Sequence, residues 1–152
     1  MNRRVDSEVP KHKVHQISEI KSDAEPFGYQ LVLDLYGCKP GVCDDLTLCY
    51  EFLDNIVEFI GMSKQAPPDI FKTDDKLWPD KAGLSGWVPL VESSIVIHTL
   101  SVKNFITVDV YSCKKFDVDK VREFVARYFH PTKIEEHFFH RGKTYHEPDN
   151  IL

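Results

Sequence analysis

Three stretches between Leu84 and Ser112, LSGWVPLV, SIVIHTL and NFITVDVYS, follow one another with only two or three residues between them. Each alternates apolar and polar side chains over much of its length, the pattern of a strand with one face buried and one face open. A parallel crossover needs a dozen or more residues, so gaps this short leave only antiparallel pairing between neighbours. The centre of the fold is therefore an antiparallel meander.

The remaining segments add to it. YQLVLDLYGC (Tyr29 to Cys38) is rich in strand-forming residues and closes on Gly37 and Pro40. DDLTLCYEFLDNIVEFIGM spaces Leu46, Tyr50, Leu53, Ile56 or Val57 and Ile60 as an amphipathic helix. Asp44 or Asp45 stands ready to cap its start, and Gly61 to end it. SKQAPPDIFKTDDKLWPDKAG reads as a long Pro-rich loop carrying Trp78, whose ring would ordinarily anchor the loop on the core. DVDKVREFVARYF reads as a second helix capped by Asp117, and KIEEHFFHRGKTY as a last strand. The expected order is β-α-β-β-β-α-β. It implies an α+β two-layer sandwich, an antiparallel sheet with helices packed on one face.

At 152 residues the chain is one domain by size. Residues 1–26 are expected to form a polar tail without fixed structure, 27–146 the folded domain, and 147–152 a short tail. The net charge of −5 argues against non-specific nucleic-acid binding. No apolar run is long enough for a membrane span, and the first residues lack the apolar core of a secretory signal. Cys38, Cys43, Cys49 and Cys113 show no zinc-ligand spacing. They read as reduced thiols of a cytoplasmic protein. His137 and His140 of HFFH fall on opposite faces of a strand, so no metal is expected. Arg141 and Lys143 are expected to be solvated.

If the last two meander strands join across Ser101 to Asn104, partner numbers sum to 205 or 206. Cys113 then lies opposite Ser93 or Glu92, and His98 opposite Thr107 or Val108. Strict alternation places Ser93 and His98 on opposite faces. For both to act on one group, Ser93 must sit in a turn or a bent strand end. Taken singly, a strand-edge Ser, a His in an apolar strand and a Cys at a strand end each have an ordinary structural explanation.

Together, GLSG, VESS, IHT and VDVYSC, preceded by LVLDLYGC, resemble the prokaryotic-type S-adenosylmethionine decarboxylase family from about Tyr29 to Tyr145. The resemblance implies a pyruvoyl-dependent carboxy-lyase that cuts itself between Glu92 and Ser93. Ser93 would become the pyruvoyl cofactor and form a Schiff base with an amino-acid-type substrate. By the same resemblance, His98 is the processing base, Ser85 assists processing by stabilising the oxyanion, and Cys113 returns a proton to the substrate carbon. A homodimer of cleaved protomers is implied as well.

The chain departs from the family pattern in two places. Ser94 stands where a His is usual, and Leu100-Ser101-Val102 stand where an aromatic residue, Pro and Glu are usual. The second change removes a stacking surface and an anion from the expected substrate site. Trp78, Trp87 and Leu100 are the candidate substrate contacts in their place. Two alternatives to S-adenosylmethionine decarboxylation for spermidine synthesis follow. One is a pyruvoyl decarboxylase of ornithine or arginine, and the other is an unprocessed binding or regulatory relative.

Overall fold

A computed structural model of the protein describes residues 25–146. The expected tails, apart from residues 25 and 26, lie outside the described residues. The elements are β1 (Gly28–Tyr36), α1 (Leu46–Phe59), β2 (Asp69–Lys72), β3 (Leu84–Leu90), β4 (Ser93–Leu100), β5 (Phe105–Ser112), α2 (Val118–Phe129) and β6 (Lys133–Arg141). They build one six-stranded sheet in the order β2-β3-β4-β5-β1-β6, antiparallel throughout.

The expected two-layer architecture is what forms. Leu31, Leu33 and Leu35 of β1, Ile95 and Ile97 of β4, and Val108 and Val110 of β5 turn to the helical side and are fully buried. They meet Phe52, Leu53 and Ile56 of α1 and Val121, Val125 and Phe129 of α2 in one core. Each such side chain contributes about 1.5–3 kcal/mol by leaving water.

Both helices start as their sequences imply. The Asp45 carboxylate accepts the Leu48 amide at 2.9 Å, and Asp117 accepts the amides of Asp119 and Lys120. The buried stripe of α1 is rotated from the expected one. It runs through Cys49, Phe52, Leu53, Ile56 and Val57, while Leu46 and Tyr50 face outward. The apolar positions of this helix are too many for spacing alone to pick the inner face.

The loop expected before the meander contains an extra strand. Asp69–Lys72 pairs with β3 at the sheet edge, with Phe71 opposite Ser85. Its four residues are too few and too exposed to give a periodic signal. Trp78 does not anchor that loop on the core, since its side chain is 59% exposed. Arg141 is also more than a solvated charge. It donates to Gln30 Oε1 at 3.2 Å and lies over the Tyr111 ring at 4.5 Å.

The sheet face away from the helices carries the polar side chains. One row across it reads Phe71, Ser85, His98, Thr107, Asp34, Glu135. The next reads Asp69, Trp87, Val96, Asp109, Val32, His137. The helical side approaches closely at Gly86, where a Cβ would stand 2.8 Å from Leu53 Cδ1. That close fit holds β3 against α1 beneath Ser85.

Candidate active site

The β4–β5 register sums to 205, placing His98 opposite Thr107 and Ser93 opposite Ser112. Cys113 extends the ladder by one step, and its amide donates to the Glu92 carbonyl at 2.9 Å. The carbonyl of the bond between Glu92 and Ser93 is thus already hydrogen-bonded. Cys113 itself is exposed, whereas Cys38, Cys43 and Cys49 are buried. Burial pushes the thiols of Cys38 and Cys49 up to about 12 and that of Cys43 up to about 11. These three are packing residues, held neutral.

Val91 and Glu92 form the turn between β3 and β4. Tight two-residue hairpin turns normally use Gly or Asn to supply positive φ. Neither turn residue has it, and the positive φ falls on Ser93 instead, at 154°. A non-glycine residue held there stores about 1–3 kcal/mol of backbone strain. Ser93 thus stands at a bent strand end. The neighbouring segment braces the turn from the other side. The Val91 amide donates to the Ser63 carbonyl at 2.9 Å, and Glu92 Oε2 accepts the Ser63 amide at 3.1 Å.

Ser85 and His98 form a second group. They are cross-strand partners on β3 and β4, and Ser85 Oγ lies 3.0 Å from His98 Nδ1. With the hydroxyl donating, the imidazole proton sits on Nε2; with Nδ1–H donating, the hydroxyl is free to donate elsewhere. Asp109 stands diagonally across from His98 on β5. Burial raises its carboxyl above the ordinary Asp range; the His98 charge opposes that shift and the Asp34 charge adds to it.

The two groups are apart. Five residue steps of extended strand separate Ser93 from His98, about 16 Å at the usual rise. A single chain joins Ser93 to Cys113 and Ser85 to His98, but does not bring the pairs together. The bend at Ser93 changes its direction but does not shorten β4.

The candidate substrate contacts fall unevenly. Trp87 is on the open face, two positions from Ser85, and Leu100 is half-buried at the far end of β4. Trp78 sits on the exposed loop before Pro79. Phe71, opposite Ser85 and 68% exposed, was missed because β2 carried no periodicity. Asp44 accepts the Ser101 hydroxyl at 2.7 Å, which puts a carboxylate beside the segment that lacks the family's acid. Among the described residues no group of three or more His, Cys, Asp or Glu could hold a metal ion, and no helix is long and apolar enough to cross a membrane.

The family model for S-adenosylmethionine decarboxylase matches residues 29–142. The chain belongs to the S-adenosylmethionine decarboxylase family. It is 31% identical over 117 residues to the S-adenosylmethionine decarboxylase proenzyme of Clostridium botulinum (strain Loch Maree / Type A3), covering 76% of this chain and 95% of the relative. It is 29% identical over 116 residues to the protein of that name from Persephonella marina, covering 76% and 82%. Among solved structures, the adenosylmethionine decarboxylase from Aquifex aeolicus superposes with a TM-score of 0.66 at 26% identity. That match covers 78% of this chain and 93% of the other. Both site groups described above lie inside the part of the chain that the S-adenosylmethionine decarboxylase family model matches.

Proposed function

We propose that the chain is a self-processing decarboxylase acting on S-adenosylmethionine, with a pyruvoyl group made from its own Ser93. The product is the decarboxylated aminopropyl donor used in spermidine synthesis. The single observation that carries the reading is the Glu92–Ser93 bond, with strain on Ser93 and an amide donor on its carbonyl. The relatives' name, proenzyme, is consistent with a chain that is cut before it acts.

The Ser93 hydroxyl attacks the Glu92 carbonyl, the C–N bond breaks, and an ester with a free amine replaces the amide. The Cys113 amide stabilises the oxyanion on the way. Removal of the Ser93 α-proton by a base expels the Glu92 carboxylate. The dehydroalanine left behind takes up water and releases ammonia to leave the keto group. Ser93 fits this conversion, because a keto-acyl chain terminus has no φ and so carries no strain of that kind.

The base in this scheme is His98, with Ser85 as its partner. Because β4 separates them from Ser93 in one chain, the site needs a second copy. A two-fold dimer joined through the open sheet faces sets the Ser85–His98 pair of one copy against Glu92–Ser93 of the other. Such a contact also covers the exposed apolar and aromatic residues of that face.

Once formed, the group supplies the electrophilic carbonyl that engages the substrate amine and takes up the electrons freed with CO₂. Cys113, exposed at the end of β5, delivers a proton to the substrate carbon. In this reading Trp87, Leu100 and Trp78 are the candidate contacts for the nucleoside. The unpaired thiols suit a reducing compartment, and we assign the enzyme to the cytoplasm.

The test is release of labelled CO₂ from carboxyl-labelled S-adenosylmethionine, with labelled ornithine and arginine in parallel. Release from S-adenosylmethionine alone is expected. Release only from ornithine or arginine contradicts the substrate, and release from none contradicts decarboxylation altogether.

A further inference from the structure

At the end of β3 and β4 that holds Ser85 and His98, a side chain takes over a position in the ladder. Thr99 is 3% exposed. Its hydroxyl accepts the Leu84 amide at 2.8 Å and donates to the Cys43 carbonyl at 2.6 Å. Leu84 directly precedes Ser85, and Thr99 directly follows His98. One buried hydroxyl therefore ties both strands to the short turn Val42–Asp44 that leads into α1.

The surroundings leave this hydroxyl no substitute. Gly83 has φ 152°, and a Cβ there would stand 1.9 Å from the Thr99 carbonyl oxygen, so the chain enters β3 pressed against Thr99. The Ser101 amide donates to Ala82 and its hydroxyl to Asp44, closing the same corner from outside. Among the described residues, every buried side-chain polar atom has a partner. Without the hydroxyl, the Leu84 amide and the Cys43 carbonyl each lose the partner that Thr99 supplies.

Register matters more here than elsewhere in the sheet. A one-residue slip of β3 against β4 turns Ser85 to the opposite face from His98. The β2 edge cannot prevent that, since β2 is four residues long and exposed. We infer that Thr99 is a positioning residue for self-processing. Its hydroxyl, clamped between Cys43 and Leu84, holds Ser85 in hydrogen-bond reach of His98. Thr99's role rests on the reading of Ser85 and His98 as processing residues, and it adds what keeps them paired.

The test uses the full chain as its Ser93→Ala precursor, labelled with ¹⁵N-histidine. The His98 ring nitrogens and their pH titration report the hydrogen bond to Ser85. Ser85→Ala gives the reference signal for a broken pair. Thr99→Val, equal in volume but without a hydroxyl, is expected to move His98 toward that reference, while Thr99→Ser is expected to restore the parent signal. With Ser93 intact, Thr99→Val should slow self-cleavage roughly ten- to a hundredfold, as small misplacements do, and Thr99→Ser should rescue it. A folded Thr99→Val precursor whose His98 signals and titration match the parent overturns the inference. Should Thr99→Val fail to fold, Thr99→Ser decides: a folded chain with the Ser85→Ala signal also overturns it. A wild-type chain that never cuts itself contradicts the processing reading alone, because the histidine signals are read in a precursor that cannot cut.

Discussion

The amide of Cys113 and the carbonyl of Glu92 lie 2.9 Å apart across the start of the β4–β5 hairpin. The residue proposed to protonate substrate through its thiol thus also touches the bond to be cut, but through its backbone. The two roles separate by mutation. Cys113→Ala keeps the amide and should still yield two fragments, while turnover of S-adenosylmethionine falls by about 10²–10⁴, the usual contribution of a general acid. Fragment analysis and CO₂ release on one sample check both halves.

Strain at Ser93 has a thermodynamic signature. Ser93→Ala and Ser93→Gly both remove the nucleophile and should remain whole. Glycine occupies φ near 154° without steric cost, so the Gly form should be the more stable by about 1 kcal/mol, net of its greater chain entropy. Urea midpoints of the two uncut chains measure the difference. Equal midpoints, or a less stable Gly form, would mean that the turn stores nothing there.

The separation of Ser93 from His98 along β4 predicts complementation. His98→Ala and Ser93→Ala should each fail to process alone. Co-expressed, they should form mixed dimers in which the His98→Ala chain is cut, using the His98 of its neighbour. Mass analysis identifies which chain was cleaved; absence of any cleavage in a demonstrated mixed dimer contradicts the composite site.

The three buried thiols bear on both reactivity and alkaline stability. Iodoacetamide at pH 8 should label Cys113 first and leave Cys38, Cys43 and Cys49 untouched until the chain unfolds. Their folded values, about 11 to about 12, exceed the ordinary 9.0. The folded state therefore holds these protons longer than the unfolded chain does. Stability is fully present below pH 9 and drains away as pH rises toward 12. Unfolding midpoints across that range check it.

Asp109 works in the same direction at lower pH. Its raised carboxyl favours the protonated folded form, so ionisation on going to neutral pH costs stability. Asp109→Asn should raise the melting temperature at pH 7, and the gain should vanish well below the ordinary Asp value of 3.8, where the carboxyl is neutral in both states. A gain unchanged at low pH would point to packing instead of charge.

Much of this was legible in the residues. The antiparallel meander, the Asp117 cap, a first cap at Asp44 or Asp45 and a register sum of 205 or 206 follow from alternation and short gaps; the structure selects Asp45 and 205. The inner face of α1 was not legible, because its apolar residues extend beyond the buried stripe to Leu46 and Tyr50. Strand β2 was hidden by its length, and with it Phe71 opposite Ser85. A bend at Ser93 was permitted by the strand start but not required by alternation, and the φ of 154° was not legible in the sequence. Thr99 looked like an ordinary strand residue, since a hydroxyl that bridges a loop carbonyl and a strand amide leaves no periodic trace.

The proposed decarboxylase can act only if the chain cuts itself at Glu92–Ser93. Intact-mass measurement of freshly purified protein under denaturing conditions, beside Ser93→Ala, tests it most directly. Two fragments meeting at that bond are expected, the C-terminal one beginning with a pyruvoyl group in place of Ser93, and a mutant of full length. A wild-type chain that stays whole after long incubation would contradict it.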